Sequence, residues 1–188
     1  MGKVVVSQFI TVDGVVEGPG GGEDFDRQGW AFKFDRAEEG DRFKSEELAA
    51  SDALLLGRRT YEGFAAAWPS RSGDEFSDKF NSMPKHVVSS TLKDPEWNNS
   101  HVIQGDLPEA VTALKERYDG DILVNGSVQL VQALFDHSLV DELRLMLFPT
   151  VLGAGKRLFD RHDEPAAFEL VESRPAGETL ILIFRPKP

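Results

Sequence analysis

Two short apolar runs constrain this 188-residue chain more than any other feature. They are ALLL at 53–56, which stops at Gly57, and DILVNGS at 121–127, which passes straight into the apolar segment VQLVQALF at 128–135. An unbroken apolar run of this length suits a strand buried on both faces. A strand that ends in glycine and leads into a helix is the β-turn-α junction of an α/β sheet.

The other segments follow the same alternation. KVVVSQFI at 3–10 reads as a first strand, closed by the turn Thr11-Val12-Asp13-Gly14 and a short pair, Val15-Val16; Asp13 is placed to set that bend. Residues 17–29, rich in glycine and acidic side chains, read as a mobile loop. A helix is expected from about Asp35 to Ala50 with Phe43 and Leu48 facing inward, and a second through Tyr61 and Phe64. Residues 65–84 read as a long connection with one helical turn near Asp78. KHVVSS at 85–90 and HVI at 101–103 are strands. Asp106 and Glu109 make a capping-box pattern at the head of a helix that carries Leu107, Ala110, Val111, Leu114 and Tyr118 and stops at Gly120. Strands at about 140–148, 167–173 and 178–185 finish the chain, the last two joined through Pro175-Ala176-Gly177. The order predicts one α/β domain over 1–188, helices on both faces of the sheet, and antiparallel pairing at one edge.

Composition removes several function classes. No apolar run approaches the roughly 20 residues needed to cross a bilayer, and the first residues lack the pattern of a secretory signal, so a soluble, cytoplasmic chain is expected. The chain has no cysteine, which excludes disulfides, thiolate nucleophiles and Cys-ligated zinc. His86, His101, His137 and His162 are dispersed and form no HExxH pair, so no metal site is expected. GAGKR at 153–157 is not a phosphate-binding loop: Thr150 stands where the first glycine belongs, and Arg157 replaces the Ser or Thr. No GxSxG elbow is present. A net charge of −11 opposes nucleic acid as a partner but leaves room for a small anion held by local donors.

The candidate site lies at three strand ends: Gly57-Arg58-Arg59-Thr60, Ser89-Ser90 and Asn125-Gly126-Ser127. Outside the carboxyl ends of α/β strands, glycine lets a phosphate approach the backbone while the next helix offers unpaired N–H groups. Taken singly, the glycines suit tight turns and the arginines a solvated helix face. Their co-occurrence is the signal.

In these segments, together with SQFITVDG at 7–14, DALLLGRRTYEGF at 52–64 and LVDELRLMLFPTVLGAGKRLF at 139–159, the chain resembles the dihydrofolate-reductase-like reductases over nearly its whole length. Within that class it resembles stand-alone relatives of the reductase domain of the bifunctional deaminase-reductase of riboflavin biosynthesis. The resemblance implies a three-layer sandwich around a mixed, mostly parallel eight-stranded sheet, with NADPH bound across the strand ends. It places Arg58 at the cofactor's 2′-phosphate and Thr60 beside the bridging phosphates. It places Ser89 and Ser90 near the adenosine-ribose phosphate, and Asn125, Gly126 and Ser127 over the pyrophosphate and nicotinamide. A guanidinium there favours NADPH over NADH. Classical folate enzymes carry Gly-Gly where this chain has Asn125-Gly126. The cysteine-free composition excludes the zinc deaminase half.

On the substrate side, a proton donor is needed near the hydride acceptor, and a carboxyl group in a partly apolar pocket suits that task. Counting back from GRRT without gaps places Asp41 at the acid of folate reductases, with Glu46 and Glu47 as competitors; for all three the alternative is a solvated helix face. Trp30 is placed either to roof an aromatic substrate or simply to pack. The expected activity is reduction of a pteridine-like or amino-pyrimidine-like heterocycle by a homodimer, the dimer resting on the resemblance and on the apolar LRLMLF, a segment equally suited to the core. The alternative is a catalytically silent NADPH-binding sensor or assembly module on the same fold.

Overall fold

The computed structural model describes residues 1–160 and 165–187; His162 lies outside the described residues. In chain order the elements are β1 (Val4–Thr11), a short 3₁₀ turn (Trp30–Lys33), α1 (Ala37–Ala49), β2 (Ser51–Gly57), α2 (Arg58–Ala67), α3 (Glu75–Ser82), β3 (Lys85–Val88), β4 (Ser100–Ile103), α4 (Leu107–Arg117), β5 (Asp121–Val124), α5 (Val128–Asp136), β6 (Glu142–Phe148), β7 (Phe168–Ala176) and β8 (Thr179–Pro186). The strands form an eight-stranded sheet in the order β4-β3-β2-β5-β1-β6-β8-β7. Neighbours from β4 to β6 run parallel, and β8 is antiparallel to both β6 and β7.

The alternation of side chains along the central strands builds two cores. Val4, Val6, Leu55, Ile122 and Val124 face α4 and α5, meeting Val111, Leu114, Leu130, Val131 and Leu134. Val5, Leu54, Leu56 and Leu123 face the other way, toward Leu48 of α1, Tyr61 of α2 and Phe80 of α3. Each of Val4, Val5 and Val6 is fully buried, as expected for an interior strand covered on both faces. A third cluster joins Trp30, Ala31, Phe43, Met146, Phe148, Ala176 and Ile181 on the α1 side of the sheet.

Local chemistry explains where the helices begin. The Asp106 carboxylate accepts the Glu109 N–H at 2.8 Å, Pro108 sits in the first turn, and Lys115 and Arg117 lie in the last. Such a cap contributes about 1 kcal/mol. Tyr118, placed on that helix by its spacing, forms the C-cap instead.

The structure refines the expectations in several places. The segment 65–84 contains a full helix, α3, rather than one turn. Asp74 caps it by accepting the Ser77 N–H at 2.9 Å, and Phe76 and Phe80, one turn apart, pack on the Trp68 ring at 5.7 and 4.5 Å. The 17–29 segment lacks regular structure, as expected, but it is tethered: Gly29 N–H donates to Gly18 O at 2.7 Å, Trp30 Nε1–H to Glu17 O at 2.8 Å, and Lys156 pairs with Glu17 at 2.6 Å. The last reversal falls at Gly177 and Glu178, because Pro175 and Ala176 still pair with Leu180 and Thr179. Proline is tolerated there since β7 is an edge strand. Of the two readings of the apolar LRLMLF, the core reading holds: it belongs to β6, between β1 and β8, with Leu143, Leu145 and Met146 buried.

Candidate cofactor and substrate site

The neighbouring strands β2 and β5 send their following helices to opposite faces of the sheet: Tyr61 of α2 joins one core, and Leu130, Val131 and Leu134 of α5 join the other. This divergence opens a crevice at the carboxyl ends of the two strands, the place where open α/β sheets take their ligands. Gly57 N–H donates to Gly126 O at 2.9 Å across the crevice. The approach excludes side chains. A Cβ at Gly57 would lie 2.3 Å from Ser127 Oγ, and a Cβ at Gly126, whose φ is 137°, would lie 2.7 Å from Thr60 Oγ1. The Gly126–Ser127 peptide is cis.

Neither helix that starts here has a side-chain cap: Gly57 precedes α2 and Ser127 precedes α5, and neither residue's side chain accepts from the first turn. Two sets of helix-terminal N–H groups therefore converge on one crevice, a donor array suited to a pyrophosphate. The third strand end is adjacent, because Val88 of β3 pairs with Gly57. Ser89 follows it, with its Oγ accepting the N–H groups of Thr91 at 3.2 Å and Leu92 at 2.9 Å; Ser90 is exposed. The structure thus brings together all three predicted strand ends. Arg58 and Arg59 are exposed at the start of α2, and the Arg58 contact with Glu62 at 3.9 Å is a loose surface pair.

The substrate-side expectations fare differently. The face of α1 that meets the sheet is formed by Gly40, Phe43, Glu47 and Leu48. Asp41 lies off that face, exposed, and pairs with Arg36 at 2.6 Å; it does not occupy an apolar pocket. Gapless counting lands one helical step from the inward stripe. Glu46 is exposed as well, whereas Glu47 is buried. Trp30 is only 1% exposed and meets Phe148 edge-on at 5.3 Å, so it packs in the core instead of roofing a pocket.

A buried polar cluster lies under α1, of which the sequence pointed only to Glu47. Ser7 Oγ–H donates to Glu47 Oε2 at 3.0 Å, and Lys44 Nζ donates to Ser7 Oγ at 2.8 Å and to Glu47 Oε2. Arg144 pairs with Glu142 at 2.7 Å, Asp121 at 3.2 Å and Glu47 at 3.8 Å. Burial works against the Arg144 charge, but the Glu142 hydrogen bond and the charges of Glu47, Glu142 and Asp121 outweigh it and hold its pKa above the ordinary value. Burial raises Asp121 in spite of Arg144. The available signal was a polar residue inside an apolar strand: Ser7 in KVVVSQFI and Arg144 in LRLMLF. Asn125 links the cluster to the crevice, its Nδ2 donating to Ser7 O at 3.5 Å. The buried Asn125 Oδ1 and Gln8 Nε2 have no hydrogen-bond partner among the described residues.

Asp13 fixes the bend after β1. It accepts from Thr11 Oγ1 at 2.6 Å, Leu152 N–H at 3.2 Å and Gly153 N–H at 2.8 Å; the Thr11 bond leads in holding its pKa down at about 2. A separate open pocket of about 460 Å³, lined by Arg71, Asn81, Trp97 and Asn98 among others, adjoins the segments entering β3 and β4, the opposite end of the parallel strands from the crevice.

The crevice, the strand order and the single antiparallel strand define a dihydrofolate-reductase-like fold. The chain belongs to the RibD C-terminal domain family, which it matches over residues 2–182. It is 25% identical over 185 residues to the uncharacterised protein YyaP of Bacillus subtilis (strain 168), covering 96% of this chain and 93% of YyaP. Among solved structures it resembles a protein assigned to riboflavin biosynthesis from Shewanella sp. PV-4, with TM-score 0.77, 20% identity and 99% of both chains covered. It also resembles dihydrofolate reductase from Enterococcus faecalis complexed with NADP(H), with TM-score 0.60, 14% identity, and 99% of this chain and 97% of that one covered.

Proposed function

We propose that this protein is an NADPH-dependent reductase of an amino-pyrimidine-like or pteridine-like heterocycle. The observation that carries the reading is the β2–β5 crevice, where two uncapped helix N-termini meet across glycines too close for any side chain. The fit to the cofactor is chemical. The N–H groups of the first turns of α2 and α5 take the pyrophosphate, with Thr60 and Ser127 beside it. Arg58 takes the 2′-phosphate, supported by Arg59, with Ser89 and Ser90 nearby; a guanidinium pairs with a phosphate monoester far better than with a hydroxyl. Bound there, the reduced nicotinamide supplies a hydride. The chain's own part is to hold the cofactor across Asn125-Gly126-Ser127 and to present the substrate from the α1 side of the sheet. Assembly as a homodimer is part of the proposal and rests on the family resemblance.

The test is thermal melting with NADPH or NADH, followed by absorbance at the reduced-nicotinamide band as dihydropterins, dihydrofolate and amino-pyrimidines are added. A ligand at 100 times its Kd stabilises the fold by about 2.7 kcal/mol. The expected result is stabilisation by NADPH well above that by NADH, and NADPH consumption with at least one heterocycle. Equal or absent stabilisation contradicts the cofactor assignment, and stabilisation without turnover contradicts the reductase.

A further inference from the structure

We propose that two copies of this chain join through the face that β8 and β7 present on the α5 side of the sheet. The inference deepens the homodimer of the reductase reading by assigning its surface, and it stands on the sheet alone. Side chains alternate along β8. Ile181, turned toward α1, is fully buried, whereas its neighbours Leu180 and Leu182, turned the other way, are only half-buried. The core that α4 and α5 build on β1, β2 and β5 leaves Leu182, Phe184 and Phe168 at its fringe. The register sets Leu170 opposite Phe184 on the same face, and Leu170 is 54% exposed.

The face carries no charge. Glu142, Arg144, Glu169, Glu172, Arg174 and Arg185, the charged residues of β6, β7 and β8, all fall on the α1 side by register, where Arg144 meets Glu47 and Arg174 meets Glu39 of α1. Two molecules of net charge −11 repel each other over most of their surface, so they approach closely only where neither presents a charge. A lipid surface is a poorer occupant, because the face has no Lys or Arg to hold headgroups. Nor does the edge of β7 invite an added strand: its register shifts between Leu170 and Glu172, and Pro175 has no N–H. Approach is therefore face to face, as two sheets about 10 Å apart. From strand spacing and rise, β7, β8 and the adjoining β6 span roughly 15 by 20 Å, the apolar centre of the roughly 800 Å² that each partner buries in a standard interface. Phe159, 41% exposed and with its ring centre 6.3 Å from that of Phe168, extends it.

The test is sedimentation equilibrium of the full chain without cofactor, with folding of each variant checked by circular dichroism. The wild type is expected at twice the chain mass. Leu170→Glu sets like charges against each other across the interface and is expected to weaken the dimer at least about tenfold. Ser173→Glu, at an exposed position opposite Leu182 on the same face, serves if the first variant does not fold, with the same expectation. Val151→Glu, at a 66% exposed position beyond the end of β6, is expected to remain dimeric. A monomeric wild type overturns the inference, including one that floats with neutral phosphatidylcholine vesicles. A dimer of unchanged affinity in folded Leu170→Glu or Ser173→Glu overturns it too, as does equal dissociation by Val151→Glu. A dimer that yields to Leu170→Glu but gains no stability from NADPH supports this face and contradicts the cofactor reading instead.

Discussion

Gly57, the last residue of β2, donates its N–H at 2.9 Å to the carbonyl of Gly126, two residues past the end of β5, and an added Cβ at Gly57 would collide with Ser127 and one at Gly126 with Thr60. The carboxyl ends of β2 and β5 are thereby fastened together at the point where their helices part. Gly57→Ala places a methyl 2.3 Å from Ser127 Oγ and 2.9 Å from Ser127 N. The hydroxyl can rotate away, but the backbone nitrogen cannot. The variant is expected to lose about 1–3 kcal/mol in urea denaturation, the usual cost of overpacking, and to lose NADPH stabilisation entirely. Wild-type behaviour in both measurements would show that the contact is not needed.

Arg144 holds three carboxylates, Glu47, Asp121 and Glu142, in the interior of the sheet. Arg144→Met keeps most of the side-chain volume and removes the one cation that, among the described residues, touches all three. Breaking a buried pair from one side costs about 3–5 kcal/mol where the remaining charge is left uncompensated; here Glu47 keeps Lys44 and Glu142 keeps Arg185 at 3.6 Å, so the loss falls at the lower end, about 3 kcal/mol. Urea denaturation at neutral pH should show a loss of that size. A loss below about 1 kcal/mol would mean that the carboxylates find solvent or other partners.

His86 is buried, hydrogen-bonded to the Tyr118 hydroxyl at 2.8 Å, and close to His101 and Arg117. Burial first, and then the charges of His101 and Arg117, lower its pKa from 6.5 to about 4. The folded state therefore prefers the neutral ring, and between those two values the unfolded chain binds the extra proton. The His86 contribution to stability is fully present above pH 6.5 and is lost as pH falls toward 4. The slope attributable to one proton is at most roughly 1.4 kcal/mol per pH unit. Comparing unfolding free energies at pH 7 and pH 5 for wild type and His86→Gln should show a shallower decline in the variant. Parallel declines would assign the acid sensitivity to other groups.

What could be read from the sequence was local. The Asp106 cap, the apolar run 53–56 and the GRRT, SS and NGS strand ends each announce themselves within a few residues, and the structure brings the three strand ends onto adjacent strands. Helix α3 was hidden by the Trp68-Pro69 and serine-glycine punctuation before it, although Phe76 and Phe80 at helical spacing carried the signal. One anchor of the 17–29 segment is Lys156, 139 residues from Glu17, and no local pattern shows it. The error at Asp41 is one of phase. Asp41 follows the inward-facing Gly40 by one residue, about 100° around the helix, which turns its carboxylate to solvent, and the inward carboxylate of α1, Glu47, stands six residues further on. The Ser7, Lys44, Glu47 and Arg144 cluster joins two strands and a helix, and becomes visible only once β1 and β6 are paired.

The most direct measurement is the affinity of Arg58→Ala for NADPH and NADH by fluorescence titration. Arg58 is exposed and its contact with Glu62 is loose, so the substitution should leave the fold intact. NADPH binding is expected to weaken at least about tenfold, the scale of a lost charge-assisted phosphate contact, with NADH changing by less than about twofold. Equal weakening of both cofactors, or of neither, would contradict the assignment of this crevice to NADPH.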